Sequence, residues 1–205
     1  MAKVFVAELF KKKLTKHHYY HNFIHTNEVV EVCSEIAKHY NVNDADFEIL
    51  LLAGWFHDSG YSFSSYNHEE KSAKIAEEFL ILENYNKNKI EKVTKLILST
   101  TDNHKPQNIF EEIIHDADLA HIGRKEFKRK GELLRMEWEY LLDKKFNDFE
   151  WANNQLEFLS NKNFYTDYAK KKYKKRLIKN IIEERKIIDM ARQNDLKEKA
   201  GKNFG

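Results

Sequence analysis

The chain has 205 residues, of which 41% are hydrophobic and 33% charged, with a net charge of +2; the 14 Phe and 10 Tyr among them exclude the disordered class and support one sizeable core. One proline and six glycines disfavour a turn-rich all-β domain and point to long helices joined by short polar loops. Cys33 is the single cysteine, which excludes an internal disulfide and a cysteine zinc cluster, and leaves core packing as its role.

The opening stretch MAKVFVAELFKKKL lacks the apolar core and small-residue cleavage site of a signal peptide. No run approaches the roughly 18 apolar residues of a membrane span, so a cytoplasmic protein with no membrane partner is expected. No repeat and no Gly/Ser-rich linker divides the chain. A single domain over 1–195 is expected, with its functional core at about 15–140, packing helices at about 141–195 and a polar tail over 196–205. His25, Val29, Val32, Ile36 and Tyr40 recur at helical steps, as do Phe47, Leu50, Gly54 and then His57 or Asp58. Glu69, Ala73, Ala76 and Leu80 form a third stripe, and Val93 and Ile97 lead a fourth towards His104. Each stripe carries a ligand-type polar residue at one end of an apolar face. Pro106 marks a helix end and loop over 103–107, and a short helix is expected to restart near Asp116. Beyond Gly123, Leu133, Leu134, Trp138 and Leu141, then Trp151, Leu156, Phe158 and Leu159, describe amphipathic packing helices. A last long helix runs from about Asp167 past Ile188.

Charge and histidine are unevenly spread. Through residue 120 there are 13 Lys and Arg against 19 Asp and Glu, and from 121 onward 22 against 14. The basic half suits an anionic substrate, but Lys-rich helix faces are more commonly just solvated, so nucleic acid is not the expected partner. All ten histidines lie between His17 and His121.

The inward polar groups His25, His57, Asp58 and the Asp116/Asp118 pair mix imidazole with carboxylate. Such a set without thiolate suits a catalytic Mn, Fe, Zn, Ni or Mg ion better than a structural zinc cage. Open coordination positions would let the ion polarise a phosphoryl group and activate water. A lone His on an apolar face is usually a core residue, Asp58-Ser59-Gly60 could be an ordinary turn, and Asp116 and Asp118 could be helix-start acids. The odds change because several such residues occur in order on separate helices. A Ser59–His57–Asp58 triad is disfavoured, since chain neighbours do not converge as a triad must.

The segments HTNEVV, LLLAGWFHDSGY and HDADLAHIG resemble the HD-domain superfamily of metal-dependent phosphohydrolases over roughly residues 15–140. The stretches HYYHNFIH, NHEEKSA and LLRMEWEYL are further similar to a bacterial subgroup of predicted HD phosphohydrolases, whose substrate the resemblance does not imply. The fold implied is all-α, an HD-domain-like helical bundle with additional C-terminal helices. The resemblance implies His25, His57, Asp58 and Asp118 as metal ligands, with Asp118 preferred because the family's ligand follows an alanine.

Relatives with two ions place more histidines after the doublet, which makes His68 and His104 candidates for a second metal or a phosphate contact. Glu69, with Asp58, is the candidate for acid/base catalysis; first-turn helix charge is the bland account of Glu69. His21 and Asn22 are candidates to orient His25 or line the pocket, although Asn22 also fits an N-cap. Tyr61, with Tyr20, Trp55 and Phe56, surrounds the motifs, and Lys105, Arg124 and Lys125 are candidate phosphate contacts. The expected activity is hydrolysis of a nucleotide or other small phosphoester or pyrophosphate by metal-activated water, with one or two divalent ions. The alternatives are an HD-type di-iron oxygenase and a non-catalytic helical module binding nucleic acid or protein. Homo-oligomerisation is left open.

Overall fold

The computed structural model describes residues 1–202, with side chains through Gln193. Among the described residues there are nine α-helices and no strand: α1 (Ala2–Lys13), α2 (Phe23–His39), α3 (Asp44–Phe56), α4 (His68–Leu82), α5 (Lys87–Leu98), α6 (Ile109–Asp118), α7 (Phe127–Leu141), α8 (Asp148–Asn161) and α9 (Asp167–Lys202). Short 3-10 turns at Ser59–Ser62 and Leu119–Gly123 follow α3 and α6. The polar tail expected over 196–205 falls beyond the described side chains, and 203–205 lie outside the described residues.

Asparagine does much of the punctuation that glycine and proline do elsewhere. Asn22, Asn43, Asn86, Asn108 and Asn147 each cap a helix by accepting from its first free N–H groups. Asn147 also forms a capping box with Glu150. Asn41, Asn67, Asn84 and Asn103 take the left-handed conformation at turns, where asparagine is among the better tolerated residues.

The helical stripes meet as the periodicity predicts. Val29, Val32, Cys33 and Ile36 of α2 face Ile49, Leu50, Ala53 and Phe56 of α3 in one continuous core, which α4, α5 and α6 complete with Ala76, Leu80, Val93, Ile97, Ile113 and Ile114. α1 closes one side through Val6 and Phe10, both buried. Cys33 is a buried free thiol, as its packing role requires.

Two close approaches need glycine. A Cβ on Gly60 would stand 2.0 Å from the carbonyl oxygen of His68, so the turn after α3 can lie against the start of α4 only without a side chain there. A Cβ on Gly123 would meet Tyr173 Cβ at 2.4 Å, where α9 crosses the second turn.

The helix expected to restart near Asp116 begins instead at Ile109. Asn108 caps it, Glu111 sits in its first turn, and Ile113, Ile114 and Ala117 are buried. The aspartates therefore close α6 rather than open a helix. Asp116 is buried and accepts from the backbone N–H groups of Tyr165 (2.9 Å) and Thr166 (2.7 Å) and from Thr166 Oγ1 (2.7 Å). Thr166 Oγ1 in turn accepts from Ala169 N in the first turn of α9. Asp116 thus anchors the C-terminal helix and is engaged away from the other candidate ligands.

Candidate metal centre

Each candidate ligand is positioned by its own local structure. Asn22 Oδ1 accepts from the N–H groups of Ile24 (2.9 Å) and His25 (3.3 Å), while its Nδ2 donates to the carbonyls of His18 and Tyr19. This fixes the entry to α2 and sets His25 on the buried face. Asn22 acts on the site through that cap and does not line the cavity. His57 ends α3, and its Nδ1 donates to Gly54 O at 2.8 Å, which leaves Nε2 with its lone pair free for a ligand role. Asp58 follows in the turn, and Asp118 ends α6.

These four side chains converge. His25 Nε2 lies 3.3 Å from Asp58 Oδ2 and 3.3 Å from Asp118 Oδ1, and His57 Nε2 lies 3.2 Å and 3.7 Å from the same two oxygens. The donor atoms of His25, His57 and Asp58 all fall within 4.8 Å of one another, and all three residues are buried. His57 Nε2 and Asp58 Oδ2 are buried with no hydrogen-bond partner among the described residues. Orphaned buried polar atoms are costly, and two lone-pair donors pointing at one spot fit a bound cation. The donor set of two imidazoles and two carboxylates suits a divalent transition metal or Mg.

The electrostatics agree. Burial alone would raise the carboxyl pKa values, but the charge of His57 and the close approach of the His25 and His57 rings hold Asp58 well below the usual carboxylate range. The His25 hydrogen bond and the His57 charge likewise outweigh burial at Asp118 and bring it down to about 2. Burial favours neutral imidazole, yet Asp58 and Asp118 overcome it, raising His25 and pushing His57 up to about 9. The two carboxylates therefore stay charged and give this spot the negative potential that suits a cation, which on binding would displace the imidazole protons.

The cluster opens into a cavity of about 430 Å³. Of the remaining candidates, His21, Tyr61, His68, Glu69, His104 and Lys105 line it. His68 Nε2 is 3.6 Å from Asp58 Oδ1, and its Nδ1 is 3.4 Å from Glu69 Oε2. His21 stacks on Tyr61 with ring centroids 3.8 Å apart, and its Nδ1 pairs with Glu137. His104 Nε2 is held at 2.8 Å by Glu111, so this ring is tied to the cavity wall and is not in the ligand cluster. Arg124 does not line the cavity: its guanidinium lies over Tyr173 of α9, 5.7 Å from the ring centroid. Trp55 and Phe56 are likewise absent from the lining, Phe56 being wholly buried in the core. Ser59 Oγ is buried and makes no hydrogen bond to His57, which removes the triad reading.

Several residues packed around the site, Glu137, His121, Glu111 and Lys130, escape sequence reasoning. Glu137 is 1% exposed and accepts from the N–H groups of Tyr20 (2.8 Å) and His21 (3.0 Å) besides the His21 ring. The only signal was an acid on the inward face of the Leu134–Trp138 stripe. Tyr20 OH lies 3.2 Å from His121 Nδ1, and that nitrogen is 3.1 Å from Asp118 O; burial, with the nearby His25 charge, pushes His121 down to about 3. Glu111 and the Lys130–Glu28 pair complete the surround. The C-terminal helices are also more than packing elements, because α7 supplies Lys130, Leu134 and Trp138 to the cavity, and α8 supplies Asn154, Gln155, Phe158 and Asn161.

A family model described as HD domain matches residues 22–123. That span begins at the cap of α2, ends with the turn after α6, and contains all four converging side chains. No curated protein and no solved structure matches the chain significantly. Among the described residues no helix is long and apolar enough to cross a membrane.

Proposed function

We propose, on the premise that this chain belongs to the HD-domain family through residues 22–123, that it is a metal-dependent hydrolase of a small phosphoester or pyrophosphate, with a nucleotide as the leading substrate class. HD domains in general are metal-dependent phosphohydrolases. The observation that carries the reading is the convergence of His25, His57, Asp58 and Asp118, with His57 Nε2 and Asp58 Oδ2 buried and unpaired.

Those four residues would hold one divalent ion, which when bound supplies a Lewis acid for the phosphoryl group and lowers the pKa of water. Glu69, beside His68 on the cavity wall, takes the proton from the attacking water. Lys105, an exposed cation at the rim, contacts the phosphoryl oxygens. His21, clamped by Glu137 and stacked on Tyr61, gives the cavity a rigid polar wall. Burial of His25, His57 and Asp58 keeps bulk water from competing for them.

The test is phosphate and pyrophosphate release from nucleotides and simple phosphoesters by protein reconstituted with Mn, Fe, Mg, Ni or Zn, alongside His57→Ala and Asp58→Asn. Release by the native protein that both substitutions abolish, together with bound metal, supports the reading. Metal content unchanged by both substitutions would place the ion elsewhere and defeat it. A second reading, oxygenation at two irons, draws on His68 standing 3.6 Å from Asp58. Oxygen uptake by iron-loaded protein without phosphate release would favour it.

A further inference from the structure

The metal-ligand end of the cavity comes from residues 22–123, as do Thr100, Asn103 and Lys105, but the wall that α8 forms lies outside that span. That wall carries Asn154, Gln155 and Asn161 on α8, and Asn163 just beyond it, with Phe158 and Trp138 among them. None of the four carboxamides makes a side-chain hydrogen bond to another described residue. Three are exposed, as ordinary surface amides are. Gln155 differs: it is only 7% exposed and lines the cavity with both amide atoms unclaimed. Its amide atoms are not sealed from the cavity space, so they stand free to pair with a ligand there. Gln155 also borders a second cavity of about 360 Å³ lying between α7, α8 and α9, but its companion amides and Phe158 face the metal-centre cavity alone.

The charges lining the cavity limit the rest of the ligand. Of its three lysines, Lys130 is paired with Glu28 and Lys162 with Asp102, which leaves Lys105 without an acidic partner among the described residues. Glu69 adds negative charge beside the metal ligands Asp58 and Asp118. That balance suits one phosphoryl group rather than a polyphosphate chain. A planar carboxamide offers a donor and an acceptor side by side, the pattern that matches a base edge, and aromatic side chains beside it suit a flat ring. A volume of about 430 Å³ lies within the roughly 300–1,000 Å³ of small-molecule sites.

We infer that α8 forms a head-group subsite in which Gln155, with Phe158 beside it, receives the base of a nucleoside monophosphate whose phosphoryl group faces the metal ligands. This rests on the phosphohydrolase reading and specifies its substrate. Hydrolysis then breaks the bond between phosphorus and the ribose oxygen; the water oxygen bonds to phosphorus, and the proton lost by the water is balanced by the one gained on the ribose hydroxyl.

The experiment compares metal-reconstituted native protein with Gln155→Leu, which keeps the approximate shape and removes both polar atoms. Substrates are the four common nucleoside monophosphates and ribose phosphate lacking a base, and binding of the free nucleosides is followed by calorimetry. The expected result is a loss of about tenfold or more in kcat/KM for the preferred nucleotide, with ribose phosphate changed less than about twofold and nucleoside binding weakened in parallel. Circular dichroism melting confirms that the variant folds, and Phe158→Leu provides an independent second lesion in the same subsite. Equal losses on both substrate types, or a native protein with no preference for the nucleotide over ribose phosphate, would overturn the subsite. Nucleoside binding that Gln155→Leu abolishes, without phosphate release from any substrate, would keep the subsite and defeat the hydrolase reading.

Discussion

His68 Nε2 approaches Asp58 at Oδ1, 3.6 Å away, whereas His25 and His57 both approach the other oxygen, Oδ2. One carboxylate therefore faces two sets of imidazoles, and its two sides can be tested separately. His68→Ala is expected to retain one ion per chain, because the cluster around Oδ2 is intact, while activity falls about 10- to 100-fold. Metal analysis beside the phosphate-release assay checks this. Loss of all metal in the variant would show that His68 belongs to the primary site.

Asp116 and Asp118 make an informative pair, separated by a single alanine. Asp118→Ala is expected to lose metal and activity while melting near the native temperature in metal-free buffer. Asp116→Ala leaves the N–H groups of Tyr165 and Thr166 without their acceptor, at a cost of about 3 kcal/mol, yet its folded fraction should still bind metal. Urea unfolding and metal stoichiometry measured together decide the pair. The reverse pattern would exchange their roles.

Gly60→Ala should be among the more damaging of the small substitutions. The added methyl would sit 2.0 Å from His68 O, forcing the start of α4 away from the turn that carries Asp58. Overpacking of this kind costs about 1–3 kcal/mol, and here it also displaces His68 from the cavity wall. A variant with native stability and native activity would show that the turn adjusts freely.

pH acts on the site through His57. In metal-free protein its pKa is raised from 6.5 to about 9, burial being outweighed by the charge of Asp58. A raised folded-state value contributes stability that is fully present below 6.5 and fades as pH rises through about 9. The ion needs Nε2 without its proton, so binding expels that proton and strengthens with pH over the same window. Metal-free melting temperature should thus fall between pH 6.5 and 9, while the increase on adding Mn grows. A metal-induced shift independent of pH would contradict proton displacement at His57.

The converging His/Asp cluster was legible because its members end apolar stripes: His25 begins the one through Val29 and Ile36, and His57 closes the one through Leu50 and Gly54. Periodicity reports which face is buried, and a ligand on a buried face stands out. The boundaries of α6 were less legible, since Pro106 signalled a loop but the cap that restarts the helix is Asn108, one of many asparagines in the chain. Periodicity alone left Asp116 and Asp118 together and the resemblance preferred Asp118; tertiary structure adds what Asp116 does instead, which is to meet Thr166, far along the chain. Arg124 lies outside the larger cavity, where its guanidinium meets Tyr173, yet it borders a small space shared with His25 and Asp118. Glu137 and Gln155 were hidden because they act across helix–helix contacts, where no local pattern marks a polar residue as inward-facing.

The ligands also have a consequence for the life of the protein when metal is scarce. His25 and Asp118 lie far apart in the chain and come together only after α2, α3 and α6 have assembled, so a bound ion acts as a clip across three helices and closes long loops. Without it, the orphaned His57 Nε2 and Asp58 Oδ2 remain buried at the junction those helices share. The metal-free form should open at this junction first, exposing α2 to proteases. Starved of its ion in a cell, such a protein would be removed as well as silenced, and its abundance would report metal supply.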